Sequence, residues 1–112
     1  MNHKHIIGKL VELGLSRTDA LVYVHLAIQG PQKVERIAAT LKLRQQQTLL
    51  ALENLQTKGI VKSKLERSCL FLALPFDEAL MLLLRAHVKE TVTIEQNKGE
   101  LLSKWKLMLK ES

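Results

Sequence analysis

The sequence has little of what is typical of a secreted, metal-binding or membrane protein. Of its 112 residues only Cys69 is a cysteine, which excludes an internal disulfide and a cysteine metal cluster. Its longest apolar runs, residues 69–76 and 79–84, are far shorter than the roughly 18 residues that a membrane helix needs. No apolar signal segment follows Met1, so we expect a cytoplasmic protein.

Residues that carry chemistry are also scarce. The chain has two Phe, one Tyr, one Trp and four His, and none of these types forms a cluster of metal-ligand spacing. There is no glycine-rich phosphate loop, nucleophile elbow or pair of catalytic carboxylates. We therefore expect a protein that is not an enzyme and needs no metal or cofactor, and the sequence indicates no small-molecule effector.

What the sequence does have is positive charge, concentrated in one region. The formal net charge is +6. Residues 31–68 contain eight Lys and Arg against three Glu, a net charge of +5, whereas residues 69–112 are neutral. Concentrated positive charge indicates a polyanionic partner such as nucleic acid, although charge alone indicates a solvated surface equally well.

Apolar periodicity and capping signals predict four helices, a hairpin and a long fifth helix. Ser16 is a candidate cap for the second helix, and Asp77 for the fifth, which runs over about residues 78–110. Strand-like runs over residues 60–65 and 69–74 flank a polar tip and predict the hairpin. The first four helices are predicted over residues 5–13, 17–29, 34–41 and 45–58.

This order defines a fold class. A short helix, a tight break at Lys42-Leu43, a second helix and then a hairpin form the winged helix-turn-helix, whose second helix enters the DNA major groove. We predict a mainly α protein: a winged helix-turn-helix with a β-hairpin wing and a long C-terminal dimerisation helix. The expected domains are a winged-helix DNA-binding domain over residues 1–76 and the dimerisation helix over residues 77–112.

The fourth helix is the candidate recognition helix. Burial of Leu49, Leu52 and Leu55 would leave an uncharged, amide-rich face exposed. Amide side chains can pair with adenine, and an exposed leucine can contact a thymine methyl group. The alternative is that the glutamines only begin a helix of good propensity. The candidate DNA-binding residues of this helix are Arg44, Gln45, Gln46, Gln47, Leu50 and Asn54.

The wing adds Lys62, Lys64 and Arg67, of which the two lysines alternate onto one strand face. They are expected to contact the DNA backbone or the minor groove, which gives affinity without sequence preference. The alternative role of the lysines is to protect an edge strand against aggregation, and both roles are compatible.

The fifth helix has a seam of nine residues spaced alternately four and three apart, six of them apolar. Such a seam is typical of a coiled coil between two copies of the chain. The alternative is a helix that folds back on its own core. The candidate dimer-interface residues are Leu80, Leu84, Ile94, Leu101, Trp105 and Met108.

Four segments carry a family resemblance: residues 13–23 (LGLSRTDALVY), 30–38 (GPQKVERIA), 52–61 (LENLQTKGIV) and 73–80 (ALPFDEAL). In this order they resemble the TrmB-like winged-helix family of mainly archaeal transcription regulators. The resemblance covers about residues 5–84 and implies a dimeric DNA-binding protein, often joined through its C-terminal helix. Arg44-Gln45 stands where the family usually has Pro-Arg, so the family's target sequence does not transfer.

Two functions are therefore expected candidates. The first is sequence-specific binding of double-stranded DNA as a homodimeric transcription regulator, with two recognition helices in major grooves roughly 34–36 Å apart. The alternative is a winged-helix protein-interaction module without DNA binding, which the neutral helix face and Leu50 favour. A third interpretation is a short chain that pairs with a longer regulator through the seam.

Overall fold

The computed structural model describes residues 3–65 and 68–111, and the side chains of residues 3–65, 68–88, 99 and 102–110. The described elements follow the predicted order, and β1 and β2 form an antiparallel hairpin. This is the predicted mainly α winged helix-turn-helix architecture. The elements are α1 (His3–Glu12), α2 (Arg17–Gln29), α3 (Val34–Leu41), α4 (Gln45–Thr57), β1 (Val61–Leu65), β2 (Cys69–Ala73) and α5 (Phe76–Glu111).

The hydrophobic core surrounds α2, on which α1, α3, α4 and the hairpin all pack. Helix α2 contributes the fully buried Val22, Tyr23 and Leu26, and it begins as predicted, because the Ser16 hydroxyl accepts a hydrogen bond from the Asp19 amide at 3.0 Å. The other apolar core residues with almost no exposure are Leu10, Ala20, Ile37, Ala51, Leu52, Leu55, Ile60, Val61, Ala79 and Leu83.

The turn between α3 and α4 is as tight as predicted. Helix α3 ends at Lys42, whose backbone is left-handed (φ 56°), and the Leu43 amide donates to the Ala38 carbonyl at 2.9 Å. The half-buried Leu43 then packs against the core. This turn fixes α4 across α2, in the position of a recognition helix.

Helix α5 begins earlier than predicted, at Phe76, directly after Pro75. The Ala79 amide donates to the Pro75 carbonyl at 3.0 Å, so Asp77 lies within the first turn and is not the cap. A carboxylate in that turn is still favourable because it faces the positive end of the helix dipole. Ala79 and Leu83 in the first turns of α5 belong to the core, whereas residues 102–110 are exposed. The distal part of α5 therefore does not fold back on the core of its own chain.

Tyr23 anchors the connection between the wing and α5 onto α2. Its side chain is buried, and its hydroxyl donates a hydrogen bond of 2.8 Å to the Leu74 carbonyl. Burial, together with the negative charge of Asp77, raises the pKa of Tyr23 to about 12, compared with the ordinary value of 10.0.

Titration of Tyr23 should report the burial of its side chain directly, because Tyr23 is the only tyrosine of the chain. We expect the ultraviolet absorbance of the phenolate to appear near pH 12 in the folded protein and near pH 10.0 in urea. Since the folded pKa lies above the unfolded one, the contribution of Tyr23 to stability is complete below pH 10.0 and is lost as pH rises towards 12. Y23F should lack this loss, and a folded-state midpoint near the urea value would contradict the burial of Tyr23 near Asp77.

Candidate nucleic-acid interface

The first turn of α4 is organised around Arg44, the residue that precedes the helix. The Gln47 side-chain oxygen accepts the Arg44 amide at 3.0 Å, and the Thr48 hydroxyl donates to the Arg44 carbonyl at 3.1 Å. Gln47 therefore caps its own helix with its oxygen, which leaves its side-chain NH₂ group for other partners. The Arg44 side chain is exposed beside the remaining amide groups of the helix start.

The buried face of α4 differs from the prediction. Leu49 is 39% exposed, so its predicted burial is wrong, whereas Thr48 is completely buried. The buried residues are Thr48, Ala51, Leu52 and Leu55. Thr48 tolerates burial because its hydroxyl donates a hydrogen bond to the carbonyl of Arg44, just before the helix, which removes the cost of an unpaired polar group.

This difference turns the exposed face by roughly 50° at 100° per residue. Gln46 and Leu50 lie near its centre, Gln47 moves towards its edge, and Glu53 joins it. The face is therefore neutral in its first two turns, as predicted, and acidic in the third. Sequence reasoning missed Glu53, although its spacing of seven residues from Gln46 places both on one side of a helix.

All six predicted DNA-binding residues of the α4 region have exposed side chains, and Leu50 is the most exposed leucine of α4, at 59%. Arg67, the third predicted wing residue, lies outside the described residues.

The wing presents Lys62 and Lys64 together on its outer face. The register pairs Lys62 with Leu72 and Lys64 with Leu70, and directly paired residues lie on the same side of a hairpin. Both lysines are exposed, while Phe71, on the opposite side, is buried in the core. The predicted alternation is therefore present in the structure.

The wing is held in place by a contact that the sequence pattern did not reveal. The loop before α3 pairs with β2: the Gln32 amide donates to the Phe71 carbonyl at 3.0 Å, and the Phe71 amide donates to the Gln32 carbonyl at 2.8 Å. The Gln32 side-chain oxygen accepts from Nε2 of the buried His25 at 2.6 Å. Helix α2 thus fixes the orientation of the hairpin.

Recognition helix and wing meet at one open groove. Leu49 of α4 lines it together with Val34 of α3 and the buried Phe71 of the wing. Cys69 is exposed at the same groove. Leu49 of α4 and the wing are therefore neighbours at this groove.

The predicted dimer residues are distributed along α5. Leu84, Trp105 and Met108 are exposed, and Leu80 is half-buried. The side chains of Ile94 and Leu101 lie outside the described residues. Among the described residues, no group of three His, Cys, Asp or Glu could hold a metal ion, and no helix has the length and apolarity to cross a membrane.

A helix-turn-helix followed directly by an antiparallel wing places the protein among winged-helix proteins. The profile of the family described as "Sugar-specific transcriptional regulator TrmB" matches residues 10–77, which is more than half of the chain. The chain therefore belongs to the TrmB family of transcriptional regulators, and the predicted family is confirmed. The matched family is one of transcriptional regulators rather than of enzymes.

Solved structures agree on the fold. TrmBL2, an archaeal chromatin protein whose structure shows a novel mode of DNA binding, is 19% identical with a TM-score of 0.72 over 90% of this chain and 42% of its own. A MarR-family regulator from Silicibacter pomeroyi is 19% identical with a TM-score of 0.56, over 96% of this chain and 79% of its own. Regulator Tm0710 from Thermotoga maritima is 16% identical with a TM-score of 0.59, over 97% and 82%.

The chain spans less than half of the length of TrmBL2. No curated protein sequence matches it.

Proposed function

We propose that this protein binds double-stranded DNA sequence-specifically, as a homodimeric transcription regulator. The observation that carries the proposal is that α4 has an exposed, amide-bearing face and the wing has exposed lysines, both within the most basic region of the chain. Membership in a family of transcriptional regulators and the DNA binding of TrmBL2 support it.

Base recognition is assigned to the first turns of α4. Gln46 has both a donor and an acceptor, as adenine N7 and N6 require, and Leu50 offers an apolar contact to thymine. The Glu53 carboxylate can accept a hydrogen bond from cytosine N4, whereas its negative charge would be repelled by nearby phosphates. The centre of the α4 face is thus suited to base edges, with Asn54 and the Gln47 NH₂ group beside it.

Phosphate contacts are assigned to the residues around that face. Arg44 and the amide groups at the start of α4 suit one phosphate, and Lys62 and Lys64 suit others. In the sequence Gln45 follows Arg44 and Arg67 lies close to Lys64, so both are assigned to the same set of phosphate contacts. These contacts supply affinity that falls steeply with salt, because each one releases counterions from the DNA.

Dimerisation is assigned to α5. Its 36 residues form a helix of about 54 Å, and its distal apolar side chains are exposed. A coiled coil between two copies would cover them and hold two winged domains, so that two α4 helices reach major grooves one turn or a multiple of it apart. In this proposal residues 1–76 bind DNA and residues 77–112 join the subunits. We expect such a regulator in the cytoplasm of an archaeal cell.

A protein-interaction module is the second candidate function. The observation that favours it is apolar exposure within the proposed interface: Leu50 is 59% exposed on α4, and Leu65 is 83% exposed at the end of β1. Isolated apolar residues are common on surfaces, whereas the neighbouring lysines favour a polyanion.

The division of roles is tested by selecting bound sequences from random DNA. Q46A is expected to lose preference at the one or two base positions that Gln46 reads, a loss of about 1–3 kcal/mol of discrimination. K62A/K64A should weaken all duplexes similarly and keep the selected sequence.

The matched control is Q56A, the same exchange at an exposed position away from the centre of the α4 face. It should leave both affinity and preference unchanged. If Q46A and K62A/K64A change binding in the same way, the assignment of bases to α4 and phosphates to the wing is wrong.

A further inference from the structure

Helix α5 has two exposed apolar clusters. We call Met81, Leu84 and Val88 the near cluster and Leu102, Trp105 and Leu109 the far cluster; their members are between 42% and 60% exposed. Within each cluster the spacing is three and then four residues. The far cluster follows the near one at 21 residues, which is three heptads, so the two lie on one stripe of a coiled coil.

The far cluster needs a second molecule to cover it. Leu102 lies 26 residues beyond Phe76, which is about 39 Å along the helix from its start at the winged domain. Its own chain leaves residues 102–110 exposed. An apolar stripe of this kind on a long helix is typical of a helix–helix interface.

Resting on the homodimer of the proposed function, we propose that two copies of α5 pair antiparallel, with the near cluster of each helix against the far cluster of the other. Because an antiparallel coiled coil sets the two seam positions of the heptad against each other, Met81 then lies beside Trp105 and Leu84 beside Leu102. The midpoint of the pair falls near residue 93. This stripe shares Leu84 and Trp105 with the interface predicted from the sequence.

The charges at the two ends of α5 distinguish this direction from a parallel pair. The first turn carries the exposed Asp77 and Glu78, and the last turns carry the exposed Lys104, Lys106 and Lys110. An antiparallel pair brings the acidic start of one helix to the basic end of the other, whereas a parallel pair places like charges side by side. The two helix dipoles also oppose each other favourably.

The pairing has a consequence for the whole dimer. With the midpoint near residue 93, the two Phe76 residues are about 51 Å apart along the helix axis, since each lies 17 residues from the midpoint. The two winged domains then stand at opposite ends of a rod rather than side by side.

Disulfide formation between introduced cysteines tests the direction. In the full chain with C69S, which removes the native exposed thiol, we compare L84C, L102C and L84C/L102C after mild oxidation. A disulfide requires Cα atoms closer than about 7 Å, so the double variant should give about tenfold more covalent dimer than either single variant. L107C is the control, because Leu107 is also exposed, at 61%, but lies off the stripe.

Self-linking of L84C above the L107C level would overturn the antiparallel pair and favour a parallel one. The mass of the unmodified protein in sedimentation separates this failure from that of the proposed function. A dimer in which L84C links to itself contradicts only the direction, whereas a monomer contradicts both the direction and the homodimer.

Discussion

Replacing Arg44, Lys62 and Lys64 with glutamate is expected to lower the affinity for every DNA duplex by about two to three orders of magnitude at low salt. All three cations are exposed: Arg44 directly precedes α4, and Lys62 and Lys64 occupy the outer face of the wing. Each phosphate contact that is lost also flattens the plot of log affinity against log salt by about 0.9. Fluorescence anisotropy of a labelled duplex at several salt concentrations measures both effects.

The matched control variant reverses the charge of three cations elsewhere on the protein. K4E/K9E/R17E changes the net charge by the same amount, and all three side chains are exposed on α1 and at the start of α2. We expect a much smaller loss, caused only by long-range attraction that salt screens. An equal loss of affinity in the two variants would mean that the total charge, and not the location of Arg44, Lys62 and Lys64, determines binding.

The second large effect is on stability. Leu55→Ala removes a completely buried side chain of α4 from the hydrophobic core, and we expect the free energy of unfolding to fall by about 2–5 kcal/mol. Domains are typically stable by about 5–15 kcal/mol, so this loss is a large fraction of the total. Urea unfolding followed by circular dichroism measures it.

Leu50→Ala makes the same exchange on the opposite side of α4. Because Leu50 is 59% exposed, its removal should change stability by no more than about 0.5 kcal/mol. Equal costs at the two positions would show that the inner and outer faces of α4 are wrongly assigned, and with them the proposed base-reading surface.

The order of elements was predictable because its signals are local. Ser16 precedes α2 and caps it through the Asp19 amide, and the alternation of the wing follows from the period of a strand. Family membership was predictable from four segments that include the caps and turns of these elements.

The exact face of α4 was not predictable from hydrophobicity. A leucine is more apolar than a threonine, yet Thr48 is buried and Leu49 lines an open groove. The outcome depends on how α4 crosses α2 and on the hydrogen bond that satisfies the Thr48 hydroxyl. The error rotated the predicted face and hid Glu53, the acidic residue of the proposed recognition surface.

The contact that holds the wing was hidden for a different reason. Gln32 and Phe71 are 39 positions apart in the sequence. Neither the residues around Gln32, in the loop before α3, nor those around His25 have the alternating pattern of a strand. A single bridge of this kind has no periodicity of its own. It nevertheless determines where Lys62 and Lys64 stand relative to α4.

The proposed function requires that duplex DNA binds to the exposed face of α4 and to the wing. A salt titration of the unmodified protein tests this requirement most directly. With a mixed-sequence duplex, we predict measurable binding at low salt and a linear fall of log affinity with log salt, at a slope of about −0.9 for each phosphate contact. Absence of binding at low salt, or an affinity that salt does not change, would contradict the DNA-binding account and favour a protein-interaction module.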